Sequence, residues 1–218
     1  MYLKKYIISN ISIIRLINKS IGRARYIPFL IINVFMPILL TFLYITNENS
    51  FQNKALFFMQ VVFPFTSVLN IIFSTRNFLE MDGNEFFYCK SNKDIFAPHL
   101  MMFLCKIMNI LIFIIVLQVF TQSFNYESVR IICACIFLFG LDNLASIIFK
   151  STSITLLINL LYVFFNILFK NEIPKMFFYL SMDLIQKQYV LCVTIPLLSM
   201  GVIMTLLSII IKKCFMFK

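Results

Sequence analysis

Charged side chains inside apolar runs are the first residues in this sequence that could do chemistry. Lys106 falls within the run Leu100–Thr121, and Asp142 within Val129–Phe149. An ion in hydrocarbon is costly, so each needs a partner or a purpose. If consecutive runs cross a bilayer in opposite directions, both lie roughly 10 Å from the same boundary at about 1.5 Å per residue. The expectation is a structural ion pair between them, or a Lys106 that snorkels alone. A proton relay would bring further acidic residues into the runs, and none is there. A second feature is the stripe Asn159, Tyr162 and Asn166, spaced i, i+3 and i+7 on an otherwise apolar helix. Such a stripe faces protein or water. It can serve interhelical hydrogen bonding, a subunit interface or the lining of a path, and the spacing alone does not choose.

Other chemistry is disfavoured. Six cysteines occur, but there is no CxxC, and His99 is the sole histidine with no cysteine at ligand spacing. A metal site is therefore not expected. Cysteine within apolar runs behaves as a small hydrophobe. There is no GxSxG, no HExxH and no phosphate-binding glycine loop; the chain holds only 4 glycines. No catalytic residue is expected, and neither is a cofactor within the chain.

The elements that must position these residues follow from composition. Of 218 residues, 61% are hydrophobic and 13% charged. Soluble domains carry roughly 25% charged residues. Six runs are long enough to cross about 30 Å of hydrocarbon. They are Tyr26–Ile45, Ala55–Thr75, Leu100–Thr121, Val129–Phe149, the shorter Ser153–Phe169, and Tyr189–Ile211. The predicted fold is an all-α polytopic integral membrane protein with six transmembrane helices, occupying residues 26–218. Pro28, Pro37, Pro64 and Pro196 lie inside these runs, where neighbouring helices or water can satisfy the freed carbonyls. They are expected to kink the helices. No cleavable signal peptide is evident, so the first run is expected to remain as an anchor.

The formal net charge of +10 would suit nucleic acid. Here the basic residues flank the apolar runs, where they act as topology signals and contacts for anionic lipid. No nucleic-acid partner is expected. Lys4, Lys5, Arg15, Lys19, Arg23 and Arg25 precede the first run. Arg76, Lys90 and Lys93 follow the second, Lys150 lies between the fourth and fifth, and Lys212, Lys213 and Lys218 end the chain. The opposite side would carry Lys54, Arg130, Lys170, Lys175 and Lys187. The bias predicts a multi-pass protein of the cell membrane with both termini cytoplasmic. Within residues 1–25, Leu3, Ile7, Ile11, Ile14 and Ile17 or Ile21 recur at helical spacing, and the basic residues fall largely elsewhere. That pattern predicts a cytoplasmic amphipathic helix lying in the membrane interface.

The loop at 76–99, predicted to be cytoplasmic, is the most structured polar segment. Asp82 can cap a short helix beginning at Gly83, with Glu85 in its first turn. Ser91–Asn92 would end it. Phe86, Phe87 and Tyr88 would be exposed there, as a protein contact or as headgroup anchors. Glu80, Gly83, Glu85, Phe86–Phe87, Ser91–Asn92, Ile95 and Lys106 together resemble the loop pattern of permease subunits of type-2 ABC exporters. The layout is similar as well: an amphipathic helix, six spans, this loop between spans two and three, and a longer external connection at 170–188. The proline that usually follows the family's short helix is replaced here by Ser91–Asn92.

The resemblance implies a function. The short helix, through Glu80, Gly83, Glu85, Phe86, Phe87 and Tyr88, would be a coupling helix docking on a separate cytoplasmic ABC ATPase subunit. ATP and Mg would belong to that partner, so the chain itself is not expected to be an enzyme. A second permease chain, identical or similar, would complete a dimer in membrane lipid. The exported substrate would be amphipathic: peptide, lipid or drug. The alternative is a stand-alone membrane binding or immunity protein without an ATPase.

Overall fold

The computed structural model describes residues 2–46, 51–79, 96–121, 127–168, 179–180 and 187–216. Among these residues the chain is helical apart from the links at 150–151 and 179–180, and contains no strand. Helix α1 is Tyr2–Ile21. The segment Gly22–Thr46, called α2, is the first long apolar helix. Helices α3 (Phe51–Leu79), α4 (Phe96–Thr121), α5 (Glu127–Phe149), α6 (Thr152–Leu168) and α7 (Lys187–Met216) follow.

Five of these, α2, α3, α4, α5 and α7, are long and apolar enough to cross a membrane. The chain is an all-α, multi-pass membrane protein. The expected sixth crossing, α6, has 17 residues. That is about 25 Å of helix, against about 30 Å of hydrocarbon. The count that length and hydropathy support is therefore five, with α6 as a shorter apolar helix beside them.

Burial divides the helices into inner and outer sets. Helix α5 is buried on nearly every side, from Glu127 through Ser146, and α3 is buried over most of its length. A helix apolar all round belongs at the centre of a bundle. α5 touches α3, α4, α6 and α7, most extensively α7. Small residues permit that approach. A Cβ added at Gly140 would sit 2.3 Å from the Gly201 carbonyl oxygen, and one added at Gly201 would sit 2.8 Å from that of Ile136. The two backbones thus touch, and only glycine fits at this crossing. Outer helices α2, α4 and α7 present apolar side chains outward, including Phe42, Ile112 and Ile203.

The helical hydrogen bonding of α2 changes around its prolines. Pro28 sits in the first turn of an α-helical piece, Ile27–Leu30. A π-helical stretch, Ile31–Phe35, precedes the piece Met36–Thr46 that holds Pro37. Pro37 has no N–H to give to Asn33, and its ring crowds that carbonyl. Widening the preceding turn relieves the clash, a recognised cause of kinks.

α1 joins the bundle through Ile13 and Ile17, which cluster with Met102 of α4, flanked by Ile14 and Ile21. It touches both α3 and α4. The expected apolar stripe is shifted in part: Ile11 is exposed, and Ile13 takes the inner position. Arg15 and Lys19 point outward, as the pattern predicted. Gly22, with φ +65°, ends α1 and turns the chain into α2.

Candidate functional site

The described polar side chains gather in three places inside the bundle. The first joins α5 to α6. These two helices form a tight hairpin linked by Lys150 and Ser151, with the Lys150 N–H donating to the Ser146 carbonyl at 3.0 Å. Lys150 adopts φ 50°, the left-handed conformation that closes a helix. The short link holds the partners in register. Asn159 Nδ2 then reaches Asp142 Oδ1 at 3.4 Å and donates to the Thr155 carbonyl at 3.0 Å. Asp142 is 1% exposed and Asn159 is 0% exposed.

Further along α6, the Asn166 side-chain carbonyl accepts the Tyr179 backbone N–H at 3.0 Å. Asn166 Nδ2 donates to the Tyr162 carbonyl at 2.8 Å. Tyr162 packs on Phe137 of α5 at 4.8 Å and stacks with Tyr179 at 6.2 Å. Burial pushes the Tyr179 phenol well above its ordinary value, with smaller effects from Tyr162 and Cys135. It remains a neutral phenol. The stripe Asn159, Tyr162 and Asn166 therefore faces α5 and the 179–180 segment of its own chain. Asn159 bonds across to α5 through Asp142, and Asn166 bonds the 179–180 segment.

Lys106 and Asp142 are not brought together. Among the described residues no ion pair joins them, and the Asp142 partner is Asn159. Lys106 is half-buried on α4. Asp142 faces α6 because the α5–α6 hairpin sets its direction, which inter-run spacing could not reveal.

The second place is the start of α5. Glu127 and Arg130, three residues apart, form an ion pair, and both are buried. Arg130 was expected among the external topology charges. Instead α5 begins two residues earlier than the apolar run and carries both groups into the fold. The i, i+3 spacing of opposite charges was the available signal.

The third place is a stripe along α3. Gln60, Ser67 and Ser74, seven residues apart, are buried, with Thr66 and Asn70 beside them. The seven-residue period was legible in the sequence but lies in a run read as plainly apolar. Ser74 Oγ meets His99 Nε2 at 2.8 Å, and both are buried. This contact ties the end of α3 to the start of α4.

Those two helix ends bracket residues 80–95. The expected coupling helix, with Glu80, Gly83, Glu85, Phe86, Phe87 and Tyr88, lies outside the described residues. So does the 170–188 connection, apart from Tyr179, Leu180 and the first residues of α7. No protein-family model, curated protein or solved structure matches this chain.

Proposed function

We propose that this chain is the membrane-spanning permease subunit of an ATP-driven ABC exporter, working with a cytoplasmic ABC ATPase and a second permease chain. In this reading α1 lies in the cytoplasmic interface and α6 is the sixth, shorter crossing. Both termini are cytoplasmic, in the cell membrane. ATP and Mg act in the partner, and the exported substrate is amphipathic: peptide, lipid or drug.

The observation that supports this reading is that the two helix ends flanking residues 80–95 are joined by Ser74 and His99. These flanking helices are also packed by α1 through Ile13, Ile17 and Met102. A loop that receives force from a docking partner needs such a mounting. A push at Glu85 or Phe87 would then move α3 and α4 together, and α3 packs directly on the central α5. Coupling of this kind requires two packing states whose balance the partner shifts.

The test is co-purification in mild detergent with any ABC ATPase encoded beside the gene. Wild type is compared with the double variant Glu85→Arg, Phe87→Ala. Retention by wild type and loss by the folded variant support the docking role. Equal retention, or no ATPase bound to wild type, would return the chain to the stand-alone binding or immunity reading.

A further inference from the structure

The hydrogen bonding around Asp142 is short of one donor. Asn159 Nδ2 has two N–H groups. One goes to the Thr155 carbonyl at 3.0 Å and the other toward Asp142 Oδ1 at 3.4 Å. The Thr155 carbonyl is an acceptor, so it fixes the amide orientation independently of Asp142. Among the described residues, Asp142 Oδ2 and Asn159 Oδ1 are buried here without a hydrogen-bond partner. Both are acceptors if Asp142 is a carboxylate, and neither can then serve the other.

Charge does not resolve the shortage. Helices α3, α4, α6 and α7 pack against α5. The charged or imidazole groups they carry are Lys54 and Arg76 on α3, His99 and Lys106 on α4, and Lys187, Lys212 and Lys213 on α7, with Glu127 and Arg130 on α5 itself, while α6 carries no charged residue. Among the described residues no ion pair involves Asp142. A lone carboxylate at this depth would be a buried, unpaired ion, which proteins avoid by neutralising the group.

We propose that Asp142 and Asn159 form a proton-holding acid–amide pair, in which the carboxylic acid proton on Asp142 supplies the donor that Asn159 Oδ1 lacks. The proton comes from water as the chain folds and leaves Asp142 neutral, so no charge is buried. The pair then makes reciprocal bonds, amide to acid and acid to amide. It fastens α5 to α6 at the base of their hairpin. The inference does not depend on the exporter reading.

Infrared spectroscopy of the whole chain in lipid nanodiscs tests it. Asp82, Asp94 and Asp183 are changed to Asn, so that Asp142 is the sole aspartate, and aspartate is supplied with a 13C carboxyl. The expected spectrum at neutral pH holds the isotope-shifted carbonyl stretch of a protonated carboxylic acid. In the Asn159→Ala background that band moves to higher frequency, because the acid loses its amide partner. In the otherwise wild-type chain, Asp142→Asn folds with an unchanged unfolding temperature, since an amide can make the same two bonds. Isotope-shifted carboxylate bands without an acid band overturn the proposal, whatever the variants do. An acid band unmoved by Asn159→Ala overturns the pairing.

Discussion

Asn166 shows how much one amide can settle. It is wholly buried and accepts the Tyr179 backbone N–H, which lies far along the chain. Asn166→Leu would keep the volume roughly and leave that N–H buried without a partner. The expected cost is about 1–3 kcal/mol, read from thermal unfolding in detergent. Loss of the Tyr162–Tyr179 stacking would accompany it. Lys150 offers the opposite sign. Its φ of 50° is the left-handed region, which glycine occupies without strain. Lys150→Gly should stabilise the chain by about 1 kcal/mol. An unchanged or lowered unfolding temperature would mean that the Lys150 side chain holds the hairpin some other way. The polar stripe on α6 was legible in the sequence because its period matches a helix. Its partners were not, because a period names a face and not what the face meets. The Lys106–Asp142 pairing failed on that point: equal depth in neighbouring spans says nothing of direction around each helix axis.

At the scale of elements, the α5–α7 crossing is the tightest contact in the bundle. Gly140 has no small residue four positions away in its own helix, whereas Gly201 lies on the buried seven-residue stripe Thr194, Gly201 and Ser208. Only the facing backbones reveal the need. Gly140→Ala places a Cβ 2.3 Å from a backbone oxygen that has no flexible end to move. The helices must separate, at an expected cost of about 1–3 kcal/mol or more. Gly22→Ala is the comparison, with nothing within 4 Å but φ +65°. It should cost about 1–2 kcal/mol through backbone strain alone. Detergent unfolding of both variants separates the two causes, and equal small effects would mean that the crossing relaxes easily. The element boundaries also carried function-relevant information. Starting α5 at Glu127 turned Arg130 from an exterior charge into half of a buried pair. Removing one partner of a buried pair strands the other and commonly costs more than removing both.

For the whole molecule, the outer surface is the test of a membrane protein. Ile112 on α4 is 58% exposed and Ile203 on α7 is 51% exposed, whereas Ile110 on α4 is 0% exposed. Soluble monomers do not leave apolar faces of this extent to water. Single cysteines at the three positions, spin-labelled in nanodiscs, should differ. Labels at 112 and 203 should collide freely with dissolved oxygen, and one at 110 should not. Protection of 112 or 203 that vanishes on dilution would mark a face covered by a second copy of the chain. Uniform accessibility to a water-soluble relaxation agent would contradict the membrane assignment itself.

Composition and hydropathy by themselves determined that the chain is helical and lies in a membrane. In hydrocarbon the backbone must satisfy its own hydrogen bonds, so long apolar runs have little choice but helix. Proline positions and the amphipathic start were legible for the same local reason. Which helices lie at the centre, which polar atoms meet and which glycines must be glycines were decided only by tertiary packing. Those properties depend on the rotation of each helix against its neighbours. That rotation is set by the short α5–α6 link and by the backbone contact at Gly140 and Gly201, and hydropathy is nearly blind to both.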